Sequence, residues 1–176
     1  MRVKPMTISI PRWMAPILGA FVFLVAIPLG HGVVPWAISL LATRYGWTEG
    51  RPGFWNMLGL IPIVAGVAGL IWIMVLSFAQ TSELSERIEL DWTPKLMFKR
   101  GPFAFTRNPM YVAELGLWLG WAIFFGSVTV LIGFVALSAG FNLLVRREER
   151  DLEARFGEDY LQYKAAVPRW LMKTRR

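Results

Sequence analysis

Cysteine is absent from the chain. That excludes disulfides, a thiol nucleophile and any cysteine metal site. Histidine occurs once, as His31, and a single imidazole inside an apolar run makes a poor metal site. The sequence also lacks a glycine-rich phosphate loop after a strand, a metal-spaced histidine pair and a Ser-His-Asp set, so a hydrolase or a soluble nucleotide-binding domain is poorly supported. Charge is missing from long stretches. Residues 15–42 and 54–82 carry none, and residues 109–145 carry only Glu114. There is no internal repeat and no low-complexity segment.

What is present is apolar and aromatic. The 176 residues suffice for one domain, and 55% of them are hydrophobic. Mean hydropathy is +0.46, too apolar for a soluble domain of this size. Nine Trp and twelve Phe suit a membrane protein, where aromatic rings favour the water interface. The formal net charge is +7. Because Lys and Arg cluster beside apolar runs, anionic lipid headgroups are expected as partners and nucleic acid is not.

Taken in order, residues 1–14 are a short basic lead with Arg2, Lys4 and Arg12. The uncharged run that follows is long enough to span a bilayer and has no small-x-small site, which argues against a cleaved signal. Pro28 and Pro35 predict a kink or a break in this first span. His31 lies between them and is expected to be satisfied by a carbonyl freed at the kink. A short polar loop, residues 43–53, leads to the second span, where Gly59, Gly66 and Gly69 predict close helix packing. Residues 83–92 are charged, and Leu84, Ile88 and Trp92 recur every four residues. That spacing predicts a short amphipathic helix at the interface.

Residues 109–145 are too long for one span: a helix of that length would reach about 55 Å against a hydrocarbon core of about 30 Å. A tight hairpin turning near Gly126-Ser127 is the expected solution, with short arms that tilt or bury against protein. Residues 146–176 form a basic tail in which Leu152, Phe156, Tyr160, Tyr163 and Val167 give one apolar face, with Gly157 as an interruption and Pro168 as the stop. The expectation is an all-α membrane protein of about four spans, the last two a tight hairpin, with a cytoplasmic amphipathic C-terminal helix. It is read as one integral-membrane domain, residues 1–82 giving two spans and 83–176 the core. Lys and Arg concentrate before the first span, between spans two and three, and in the tail. The N-terminus, the central stretch and the tail therefore share one face, the cytoplasmic one, of what is expected to be a bacterial inner membrane.

The central stretch, residues 95–111, is basic, aromatic and broken by Gly101, Pro102 and Pro109. Gly101-Pro102 marks a turn. Asn108-Pro109 opens a helix, with Asn108 as N-cap and Pro109 at the first helical position. Free N–H groups there suit a carboxylate or phosphate. The same residues also suit an ordinary basic juxtamembrane loop. A hairpin over 109–145 returns its ends to one membrane face, so Tyr111 and Glu148 can be neighbours. A carboxylate and aromatic faces attract a cation, and the helix start attracts an anion. Glu148 and Glu149 equally suit a solvated span end. Glu114, one turn into a span, is a functional candidate, or else it snorkels or pairs with Arg107.

The run Gly101-Pro102-Phe103, then Arg107-Asn108-Pro109-Met110-Tyr111, the hairpin, Glu148-Glu149, and Phe156-Gly157-Glu158-Asp159-Tyr160 through Tyr163 to Val167-Pro168-Arg169, resembles the integral-membrane methyltransferases. These include isoprenylcysteine carboxyl methyltransferase and the phospholipid N-methyltransferases. The resemblance covers roughly residues 91–170. It implies S-adenosyl-L-methionine as methyl donor, with contacts at Lys95, Leu96, Met97, Phe98, Phe103, Asn108, Pro109, Met110, Tyr111 and Glu148. It implies a lipid or lipid-linked acceptor, either a headgroup amine or a carboxylate. Glu148, Glu149, Glu114 and Arg107 are the candidate catalytic residues. An amine acceptor would need a base, and a carboxylate would not. Asn108 stands where the carboxyl methyltransferases carry His, and Asn-Pro-Met-Tyr is closer to the phosphatidylethanolamine methyltransferases. The tail is closer to the carboxyl branch. Leu144 stands where an acceptor-contacting Arg is implied. The alternative from another class is a non-catalytic membrane protein that binds anionic lipid and scaffolds partners. The oligomeric state is not written in the sequence.

Overall fold

The computed structural model of the protein describes residues 8–11, 13–81, 87–90 and 97–171. The chain is mostly helical. Among the described residues three helices are long and apolar enough to cross a membrane, and a fourth apolar helix of 17 residues accompanies them.

The first span opens with α1 (Met14–Phe21) and closes with α2 (Val34–Ser39). Between them the helix widens into two π-helical turns, Val22–Ala26 and Leu29–Val33. Pro28 and Pro35 thus produce wide turns and not a break. A proline cannot donate to the carbonyl four residues back, and its ring crowds that carbonyl, so the turn before it loosens. Pro35 leaves the carbonyl of His31 without its usual donor, and the Trp121 indole N–H donates to it. The His31 side chain has a different partner from the one the kink suggested: its Nδ1 accepts from Trp118 Nε1 at 3.1 Å.

The polar loop holds a two-residue hairpin, β2 (Trp47–Thr48) against β3 (Arg51–Pro52), and α3 (Phe54–Met57) precedes α4 (Leu60–Thr81). Gly46 accepts from the Gly53 N–H, and Asn56 Nδ2 donates to both Tyr45 O and Ile123 O. Tyr45 N donates to Gly126 O. The loop is therefore tied to the turn between α5 (Pro109–Phe125) and α6 (Val128–Phe156). That turn is the expected one. Gly126 adopts φ 57°, and Ser127 accepts from Val130 N.

The most extensive helix pair is α4 with α5. A Cβ on Gly66 would lie 2.7 Å from Ala113 O, and one on Gly120 would lie 2.5 Å from Ile63 Cγ1. Absent side chains let these backbones approach closely. Ile63, Leu70, Ala113 and Leu117 bury the seam, and Trp118, Ala122 and Val130 continue the core toward α6. α5 is short but buried against protein, as a short arm requires. α6 is not short: it runs unbroken for 29 residues, roughly 43 Å at helical rise. Its apolar part ends at Val145, and the charged remainder projects beyond it. Gly157, at φ 53°, separates it from α7 (Glu158–Ala166), and Pro168 follows the last turn.

One expectation fails in the described region. Of the segment assigned to an amphipathic helix, Arg87–Leu90 is a strand, β4, paired antiparallel with β1 (Ile8–Pro11). Arg-Ile-Glu-Leu alternates polar and apolar, so Ile88 and Leu90 fit period two as well as Leu84, Ile88 and Trp92 fit period four. The pairing sets Ile10 opposite Ile88 and Ile8 opposite Leu90. The rest of that segment lies outside the described residues. The two ends of the molecule are thus distinct. Residues 43–53 and the hairpin turn form one. The start of α5, the charged end of α6 and α7 form the other.

Candidate functional site

A 3-10 turn, Gly101–Ala104, runs into an extended step before Asn108-Pro109 starts α5. Gly101 has φ 63°, a left-handed turn that glycine tolerates, and it packs on Trp72 and Leu76 of α4. Pro109 takes the first helical position, where its missing N–H is no loss. The amides of Met110 and Tyr111 open the helix with no backbone acceptor among the described residues.

Tyr111 and Glu148 meet. The hairpin returns α6 beside α5, and the Tyr111 hydroxyl donates to Glu148 Oε1 at 2.7 Å. The Tyr111 ring lies 4.8 Å from that of Phe141, one α6 face further in. Phe98 and Phe103 stack with centroids 5.2 Å apart. Met97 is half-buried, and Lys95 and Leu96 lie outside the described residues. Glu114, one turn on from Tyr111 and half-buried, makes no hydrogen bond among the described residues.

Two expected contacts are replaced by others. The Asn108 side chain does not cap α5; its Nδ2 donates to Arg169 O at 3.1 Å, while its carbonyl accepts from Val112 N. Arg107 does not pair with Glu114. It pairs with Glu149, Nη2 to Oε1 at 2.8 Å, with Nε at 3.1 Å on the same oxygen. Arg169 holds the other side of Glu149, Nη2 to Oε2 at 2.6 Å. Both carboxylate oxygens are committed, and the Glu149 side chain is 4% exposed. Burying a charge is unfavourable unless it is paired and hydrogen-bonded, and here two guanidinium groups do both. Hydrogen bonding to Glu149 raises the pKa of Arg169, against the opposing effect of burial.

Sequence reasoning assigned no role to Arg169, Thr106 or Tyr163. Arg107 N donates to Pro168 O at 2.9 Å, and its Nη1 to Val167 O at 2.6 Å and Lys164 O at 2.9 Å. Thr106 Oγ1 donates to Arg169 O at 2.8 Å and accepts from Asn108 N at 3.2 Å. Tyr163 donates to Phe103 O at 2.7 Å. Burial pushes the Tyr163 phenol up to about 12, so it remains a donor at neutral pH, although the charge of Arg107 works the other way. Tyr160 fills the space between, 1% exposed, with its hydroxyl unpaired among the described residues. The only sequence signal for this contact was the Val-Pro-Arg ending quoted in the resemblance.

A cavity lies elsewhere. It measures about 470 Å³ between the first span and α4, lined by Ile27, His31, Trp36, Ile63, Val67 and Trp121. His31 is its one titratable group. The α5 start, by contrast, gathers carboxylates, amides and rings, and chemistry is more readily built there.

An uncharacterized protein of Haemophilus influenzae is 35% identical over 63 residues, which is 35% of this chain and all of that protein. No solved structure matches the chain. The phospholipid methyltransferase family model matches residues 55–159, from the head of α3 through both hairpin arms and Glu148 into α7. That match takes in well over half of the chain, and the chain belongs to the phospholipid methyltransferase family.

Proposed function

We propose that the protein is an S-adenosylmethionine-dependent methyltransferase that acts on a lipid-borne amine at the cytoplasmic face of the membrane. The Tyr111–Glu148 pair at the α5 start carries this reading. The Tyr111 hydroxyl occupies one oxygen of Glu148 and leaves the other without a partner among the described residues. That carboxylate attracts a cation, and the amides of Met110 and Tyr111 beside it attract an anion. S-adenosylmethionine carries both a sulfonium and a carboxylate, and when bound it supplies a methyl carbon already activated for displacement. Met97, Phe98, Phe103, Asn108, Pro109, Met110, Tyr111 and Glu148 are the residues that would hold it, with Lys95 and Leu96 from outside the described region.

The distribution of charge favours the amine over the carboxylate. A carboxylate acceptor would be held best by a cation fixed in the site, and Arg107 and Arg169 are both spent on Glu149. Leu144 occupies the position where the resemblance implies an acceptor-contacting arginine. Arg146 and Arg147 are exposed. An ammonium headgroup must lose a proton before its nitrogen lone pair can attack. Glu148 and Glu114 are carboxylates with acceptor capacity left to take it, and Glu149 has none. Holding acceptor and donor in line then contributes most of the rate.

The test is lipid mass spectrometry after incubating the purified protein with isotopically labelled donor and vesicles. Label on phosphatidylethanolamine and none on a prenylcysteine carboxylate is the expected result. In parallel, Glu148→Gln should weaken binding of S-adenosylmethionine at least tenfold in calorimetry, since the sulfonium loses its carboxylate and an interaction with a charged group contributes about 1.5–3 kcal/mol. Asp151→Asn, which alters an exposed carboxylate on the same end of α6, should bind as wild type. Label on the carboxylate would overturn the amine assignment. Wild-type binding by Glu148→Gln would remove the donor site.

A further inference from the structure

We propose that residues 164–169 are a latch that sets donor affinity from outside the site, with Arg169 and Glu149 as positioning residues; this rests on the donor reading above. The loop over residues 101–108 presents Phe103 and Asn108 and aims the first turn of α5, yet most of its polar anchoring comes from the tail. Phe103 O, Thr106 Oγ1, Arg107 N, three nitrogens of the Arg107 guanidinium and Asn108 Nδ2 are all bonded to Tyr163, to the 164–169 segment or to Glu149.

Glu149 is where the latch and the site meet. It follows Glu148 directly on α6, so the rotation of that helix end places both at once. Its two oxygens hold Arg107 on the loop side and Arg169 on the tail side. The Arg107 and Glu149 side chains are 8% and 4% exposed, and that of Arg169 is 30% exposed. The gradient of burial decides which residue can be tested. Glu149→Gln would leave Arg107 buried without a counter-charge, a change that damages folding wherever it occurs. Arg169 can be removed with the Arg107–Glu149 pair intact. Its loss frees the Arg169 carbonyl that holds Thr106 and Asn108, and the loop gains freedom that donor binding must then restrict. Supporting residues of this kind fix site geometry without touching the ligand.

The experiment uses the full chain in detergent or nanodiscs, with Arg169→Ala, Arg169→Lys and Arg155→Ala, the last an exposed cation on the same end of α6. Three readouts are taken: the Kd for S-adenosylhomocysteine by calorimetry, hydrogen–deuterium exchange of residues 101–108 without ligand, and the donor KM and kcat. Arg169→Ala should raise the Kd about tenfold, the effect of losing a hydrogen bond to a charged group. It should also speed exchange across 101–108 and raise the donor KM far more than it lowers kcat. Arg169→Lys should recover part of each, and Arg155→Ala should match wild type. If Arg169→Ala speeds exchange only in 164–171 and leaves 101–108 and the Kd unchanged, the latch is overturned while the donor site stands. If wild type itself fails to bind S-adenosylhomocysteine, the donor reading falls and the latch with it.

Discussion

Single residues separate what is bonded from what is merely buried. Tyr160 and Tyr163 are neighbouring buried tyrosines with ring centroids 6.1 Å apart. Tyr163 donates to Phe103 O, whereas the Tyr160 hydroxyl has no partner among the described residues. Tyr163→Phe should therefore lower stability by about 1 kcal/mol, because it also orphans a carbonyl. Tyr160→Phe should be neutral or stabilising, since it removes a desolvated hydroxyl that gains nothing in return. Thermal melts of both variants check the order, and equal losses would contradict it. The same distinction governed what could be read from sequence. Tyr111 beside Glu148 was legible because a hairpin between them returns both to one face of the membrane. Arg169 with Glu149 was not: nineteen residues intervene, among them a helix break and a proline, and no periodicity links them. Asn108 illustrates a third case. Its position as N-cap was legible, but a nearby carbonyl from the tail outcompeted the local cap for its side chain.

At the scale of elements, small residues decide how close α4 and α5 lie. Gly120 meets Ile63 and the Gly59 carbonyl, so a methyl there has nowhere to go without moving backbone. Gly140, on α6, has nothing within 4 Å of the corresponding position. Gly120→Ala should cost about 1–3 kcal/mol by overpacking. Gly140→Ala should be neutral or gain about 0.4–1 kcal/mol by restricting the unfolded chain. The two are the same substitution in adjacent helices of one hairpin, so their melting temperatures in one detergent form a direct comparison. Similar shifts would remove the seam from the account of packing. The glycine spacing of the second span was a readable signal for this contact. The strand Arg87–Leu90 was not, because four residues satisfy two periods and only the partner strand Ile8–Pro11 chooses between them.

For the molecule as a whole, the question is which end faces which side of the membrane. The helices fix two ends. One holds Arg44 and Arg51, while among the described residues Lys99, Arg100, Arg107, Arg146, Arg147, Arg150, Arg155, Lys164 and Arg169 lie at the opposite end. Even Arg44 is not free: it donates to Ser39 Oγ and lies over the rings of Trp47 and Phe125, 4.9 and 4.8 Å from their centroids. Basic segments near span ends are retained on the cytoplasmic side, and an imbalance this large leaves little competition between orientations. The proposed site, with the latch, then lies where a donor made in the cytoplasm can reach it. The lack of cysteine makes this testable without a fused reporter. Thr48→Cys places a single thiol on the exposed face of the 43–53 loop, and Asp159→Cys places one on the exposed first turn of α7. In intact bacterial cells a membrane-impermeant maleimide should label Thr48→Cys and spare Asp159→Cys, which should react only once the cells are opened. Labelling of Asp159→Cys from outside would invert the molecule and leave the site facing away from its donor, and no adjustment of the residues at the start of α5 would rescue the assignment.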